Sequence, residues 1–136
     1  MIQVECYCTH ARRAAGQLTA FYDEALAPAG LRVTQFSLMR AVMRLEQPTI
    51  SGLAEATGLD RSTLGRNIRV LQRQGLLKLG PGKDERTRVV AMTDAGAAVV
   101  DAAMPHWRRA QERIEAVVGE KSRTQLKRLA DQLQQL

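Results

Sequence analysis

Long apolar runs are missing from this 136-residue chain. No stretch approaches the ~20 residues that cross a bilayer, which excludes a membrane-spanning reading. Cysteine is scarce: Cys6 and Cys8 are the whole complement, too few and too close for a disulfide framework, as expected of a protein kept in a reducing cytosol. The opening segment from Met1 to Arg13 puts its acid before its bases and has no apolar core, so no secretory signal is expected. Internal repeats, low-complexity tracts and collagen-like spacing are also missing. Neither a Gly-x-Ser-x-Gly elbow nor a His-Glu-x-x-His pair occurs, and His10 and His106 lack evident catalytic partners. Gly82-Lys83 does not close a phosphate loop, because Leu77 stands five before Gly82 and Asp84 takes the hydroxyl position. An enzyme is not expected, and no cofactor or metal is assigned.

What is present is a single-domain length, an apolar fraction of 45% and a net charge of +6. The charge is localised. Between Arg61 and Val90 there are eight basic residues against Asp84 and Glu85, while the remainder balances at twelve of each sign. A concentrated excess of this kind suits a phosphate-backbone binder. By itself it suits a solvated basic face equally well.

Apolar spacing predicts a first helix from Val4 to Leu26, ended by Pro28 and Gly30. Thr34 is expected to cap a second helix that stops before Pro48, Ser51 a short third one closed by Gly58, and Asp60 a fourth. In the fourth, Leu64, Ile68 and Leu71 form the buried stripe. Short strands over Leu76–Leu79 and Arg88–Met92 flank a charged loop whose Gly80-Pro81-Gly82 marks a hairpin. Thr93 or Asp94 should start a long helix towards Val118, kinked at Pro105, and a last helix should follow Ser122. The expected fold is mainly α: a winged helix-turn-helix of about six helices with a two- or three-stranded β wing. Residues 31–93 are expected to form the DNA-binding unit, and 1–30 with 94–136 a helical dimerisation region, for the reasons that follow.

A short helix, a glycine turn and a capped second helix place that second helix in a major groove. Its outer face carries Ser62, Thr63, Arg66, Asn67, Arg69 and Arg73. Arg66 is assigned to base reading, because guanidinium pairs bidentately with guanine. Ser62, Thr63 and Arg69 are assigned to the phosphates. On the wing, Lys83, Arg86 and Arg88 suit a narrow, negative minor groove, with Asp84 bracing Arg86.

The segment from Asp84 to Gly96, with Arg86, Met92 and Thr93 at matching places, resembles the wing of the MarR transcriptional regulators. Met92 departs from that family's usual leucine. Leu71 to Leu77 resembles the end of its recognition helix, and Ser51 to Ala54 the entry to its helix-turn-helix. The resemblance implies a cytoplasmic winged-helix homodimer, usually a repressor on an inverted repeat near its own promoter. It also implies that Arg86 enters the minor groove with Asp84 orienting it.

The apolar faces of the terminal helices, with Leu18, Tyr22, Ile114, Val117, Val118, Leu126, Leu129, Leu133 and Leu136, exceed what one small winged helix covers. Burial against a second copy is favoured at roughly 25 cal/mol per Å². The alternative is a leucine stripe that closes the monomer. A two-fold dimer sets the recognition helices ~34 Å apart and predicts a palindromic duplex.

Cys6, Cys8 and His10 cluster at the start of the first helix, where the helix terminus and nearby cations favour thiolate. Three readings stay open: redox sensing, soft-metal sensing, and small residues buried at an interface. One branch of the family senses organic hydroperoxides through a cysteine placed here with tyrosines nearby, although Cys-Tyr-Cys-Thr-His differs from its local pattern. Within a regular helix side chains two apart diverge, which disfavours a Cys6–Cys8 disulfide. A small organic effector is a further expectation, in a cleft lined by Phe36, Met39, Met43, His106 and Trp107. The rival class is a winged-helix docking module for another protein, without specific DNA binding.

Overall fold

The computed structural model describes residues 5–136. Helix α1 spans Tyr7–Leu26 with Cys6 as its N-cap in extended backbone, so the expected start at Val4 lies outside the described residues. A 3-10 turn, Ala27–Ala29, leads to α2 (Val33–Leu45), α3 (Ile50–Thr57) and α4 (Arg61–Arg73). Strands β1 (Leu77–Leu79) and β2 (Val90–Met92) form the antiparallel wing, and α5 (Asp94–Leu133) completes the chain. The mainly α winged helix-turn-helix expected from the sequence is what the chain adopts. The expected fifth and sixth helices are the two parts of α5, which are separated by a non-helical residue.

The junction within that element is Gly119, at φ 82° and ψ 164°. This left-handed backbone is open to glycine without the clash a Cβ brings. The break between the two helices, expected between Val118 and Ser122, thus falls at Gly119, and Pro105 lies inside the helix before it. No described helix is long and apolar enough to cross a membrane.

Two helix starts differ from the expected caps. Thr34 does not cap α2: Arg32 is its N-cap, the Val33 amide donates to Asp23 of α1 at 2.7 Å, and the Arg32 amide donates to Gln35. A carboxylate from a neighbouring helix has taken the capping work. Thr49 rather than Ser51 caps α3, accepting from the Gly52 amide at 3.1 Å. Asp60 caps α4 as expected.

Leu26, Phe36, Leu38, Met39, Leu53, Leu64, Leu71, Leu77 and Val90 are fully buried and join α2, α3, α4 and the wing into one core. Each such side chain contributes about 1.5–3 kcal/mol on burial. The wing is registered by Leu77 opposite Met92 and Leu79 opposite Val90. A single bridge from Thr49 to Val89, with the Val90 amide donating to the Pro48 carbonyl at 2.9 Å, ties it to the entry of α3. The wing is thus joined at its base to the helix-turn-helix. Along the other side α1 lies on α5, where the Tyr22 hydroxyl donates to Gln111.

Candidate nucleic-acid interface

The turn between α3 and α4 is built from local hydrogen bonds. Gly58, at φ 69°, closes α3 by donating its amide to Ala54, and the Thr57 hydroxyl donates to the Leu53 carbonyl at 2.7 Å. Asp60 then receives the Thr63 amide at 2.8 Å and the Thr63 hydroxyl at 3.0 Å. The Thr63 amide, above all, holds the Asp60 carboxyl below the usual carboxylate range, so it stays ionised. Leu64, Ile68 and Leu71 face the core, which turns Ser62, Arg66, Arg69 and Arg73 to solvent on an exposed face. The Arg66 guanidinium donates back to the Thr63 hydroxyl at 3.4 Å. Asn67 does not share that exposure. It is half-buried and donates its amide to Thr34 on α2 at 3.2 Å.

The wing tip carries a second cationic group. Glu85–Thr87 makes a 3-10 turn, absent from the sequence reading, with Asp84 as its N-cap. The Thr87 amide donates to Asp84 at 3.1 Å, and Arg86 donates to the same carboxylate at 3.3 Å. The Arg86 hydrogen bond is the main cause that lowers the Asp84 pKa. Both side chains are exposed, so the pair adds little to stability; what it fixes is the direction of Arg86. Lys83 is exposed beside it. Arg88 turns inward instead, half-buried, with its Nε donating to the Gly80 carbonyl at 3.3 Å across the wing's neck. Gly82 approaches that neck closely: a Cβ there would lie 2.5 Å from the Arg88 nitrogen and the Thr87 carbonyl carbon.

The expected effector residues differ in burial. Phe36 and Met39 are core, at 1% and 0% exposure, whereas Met43 faces solvent. Half-buried His106 pairs with Arg109 at 2.9 Å. Trp107 packs on Phe36 with ring centroids 6.0 Å apart, and the Arg40 guanidinium, 5.0 Å from the Trp107 centroid, covers both rings. A cleft of about 630 Å³ lies elsewhere, between α1 and the Gly119 region of α5. Leu18, Phe21, Tyr22, Ile114, Val118 and Leu126 are among its lining residues, and none of the five expected ones is.

Cys6 and Cys8 are free and exposed in the single chain. The neighbouring Thr9 amide and hydroxyl, then the Cys8 amide, lower the Cys6 pKa. Cys8 accepts from Arg12 at 3.4 Å, the direction expected from helical spacing. Among the described residues no three His, Cys, Asp or Glu side chains converge as a metal site.

The sequence marked Thr34 as a helix cap and Gly82 as a turn residue, whereas the structure gives Thr34 the Asn67 amide and packs Gly82 against the wing neck; Arg40 carried no sequence signal.

Residues 29–87 match the MarR family. The crystal structure of the M. tuberculosis transcriptional regulator MosR superposes with a TM-score of 0.88 at 36% identity, over 97% of this chain and 98% of that one. MosR in complex with DNA gives 0.83 at 38% identity, over 96% and 97%. The HTH-type transcriptional repressor NicR of Pseudomonas putida is 28% identical over 102 residues, 74% of this chain and 65% of that repressor's length.

Proposed function

This chain belongs to the MarR family of DNA-binding transcriptional regulators, and on that premise we propose that it acts as a homodimeric repressor released by a chemical signal. Each protomer would set Arg66 in a major groove and Arg86 in the adjacent minor groove of a palindromic duplex. Ser62, Arg69 and Arg73 would hold phosphates. The observation that carries this reading is Arg86, aimed outward by Asp84 at 3.3 Å on a wing whose base is tied to the helix-turn-helix. A docking module has no use for a braced arginine at that place.

The signal we favour is oxidation of Cys6. Its thiolate attacks a peroxide oxygen, the S–O bond forms as O–O breaks, alcohol or water leaves, and a sulfenic acid remains. The support is its exposed thiol with a lowered pKa at the mouth of α1. A small anionic effector is the second reading. It is supported by Arg40, whose guanidinium lies over Phe36 and Trp107 where α2 meets α5 and is unpaired with any acid among the described residues.

Fluorescence anisotropy on a duplex from the gene's own upstream region, with excess non-specific competitor, tests both levels. Tight binding that peroxide abolishes, and that survives peroxide once Cys6 and Cys8 are both serine, supports a thiol-switched regulator. Binding indifferent to peroxide moves the signal to the Arg40 cluster. Failure to select any sequence from random duplexes favours the docking module.

A further inference from the structure

Three side chains on the outer face of α4 form a directed chain. Asp60 holds the Thr63 amide at 2.8 Å and the Thr63 hydroxyl at 3.0 Å, and Thr63 in turn accepts from Arg66 at 3.4 Å. The Thr63 hydroxyl has one proton, already given to Asp60, so what it offers outward is a lone pair, which only a donor can use. A phosphate oxygen offers no donor. The assignment of Thr63 to the DNA backbone is therefore at odds with its hydrogen bonding, and an ionised Asp60 at the helix start adds repulsion against a phosphate there.

We infer that Asp60 and Thr63 are positioning residues for base readout: Asp60 fixes the Thr63 hydroxyl, and Thr63 holds the Arg66 guanidinium back along the recognition helix before DNA arrives. A free arginine has many rotamers to lose on binding, and immobilising one long side chain costs about 0.5–1.5 kcal/mol. Anchoring it beforehand removes part of that cost from the correct base pair. The effect falls on specificity at one position rather than on general affinity. The inference rests on the DNA-reading function proposed above.

The test uses the full chain and a duplex library with a randomised centre, comparing the wild type, Asp60→Asn, Thr63→Val, Arg66→Ala and the double variant Asp60→Asn/Arg66→Ala. Asparagine caps a helix as well as aspartate, so the thermal midpoint of Asp60→Asn should match wild type. Arg66→Ala should erase preference at one base pair of each half-site. Asp60→Asn and Thr63→Val should lower preference at that same position by roughly three- to tenfold, the range set by one immobilised side chain. The double variant should equal Arg66→Ala alone. An unchanged profile for Asp60→Asn, or a loss spread over every position, overturns the inference. So does an effect of Asp60→Asn that persists without Arg66, which would make Asp60 itself a base reader. A wild type with no sequence preference is distinct from these outcomes: it overturns the DNA-reading premise, and the inference with it.

Discussion

The side-chain amide of Asn67 donates to the hydroxyl of Thr34 at 3.2 Å, joining the recognition helix to α2 across 33 residues of chain. Like Arg88 on the wing, it is a residue expected to face DNA whose polar group bonds within the fold. Asn67→Ala should cost about 0.5–1.5 kcal/mol, the usual worth of one hydrogen bond. Urea denaturation reads this directly, and the base preferences of the folded variant should not move. A lost base preference with unchanged stability would return Asn67 to the DNA.

Arg86 and Arg88 lie two residues apart on the wing and should behave differently. Arg86→Ala should weaken binding and lower the slope of log affinity against log salt by about one. Arg88→Ala should weaken binding with the slope intact, because its guanidinium is held on the Gly80 carbonyl. Equal slope changes would make Arg88 a phosphate contact.

Gly82→Ala places a methyl group 2.5 Å from backbone atoms of Thr87 and Arg88, which have no flexible end to yield. The wing must open, and Arg86 loses its aim. Cognate affinity should fall at least as far as in Arg86→Ala. The core contacts lie below the wing neck, so the helical circular dichroism should hold. A variant with wild-type affinity would show that the wing tolerates the shift.

Cys6 should be alkylated as a low-pKa thiol. In a Cys8→Ser background, the iodoacetamide rate followed against pH should have its midpoint below that of an ordinary cysteine, since a lowered pKa keeps thiolate present at lower pH. Thr9→Val, which keeps the amide and loses the hydroxyl, should return the midpoint partway. A midpoint at the ordinary value would remove the ground for Cys6 as the sensor.

Leu126, Leu129 and Leu133 are 55%, 39% and 48% exposed in the single chain. The double variant Leu129→Glu/Leu133→Glu should sediment as one copy where the wild type sediments as two, and it should bind a palindromic duplex poorly. A wild type that remains a monomer at micromolar concentration would leave the stripe without its proposed partner.

The turn of the helix-turn-helix, the Asp60 cap and the Asp84–Arg86 brace were legible because each is made by residues within four positions of one another. The break near Gly119 was half legible. Two helices were expected around it, but Pro105, the stronger breaker in a list of propensities, drew the kink. A proline inside a helix removes one amide donor, whereas a left-handed glycine turns the backbone itself.

By itself, then, the sequence determined the order of elements, the capped recognition helix and the charged wing, through propensities and short-range hydrogen bonds. Only the tertiary structure decided which of the same polar and apolar residues the fold would keep. Asp23 reached α2 from another helix and released Thr34 to hold Asn67. Phe36 and Met39 were buried in the core, and Arg88 folded back onto Gly80. Each of those outcomes depends on which distant segments meet, and close packing of the core sets that geometry for all of them together.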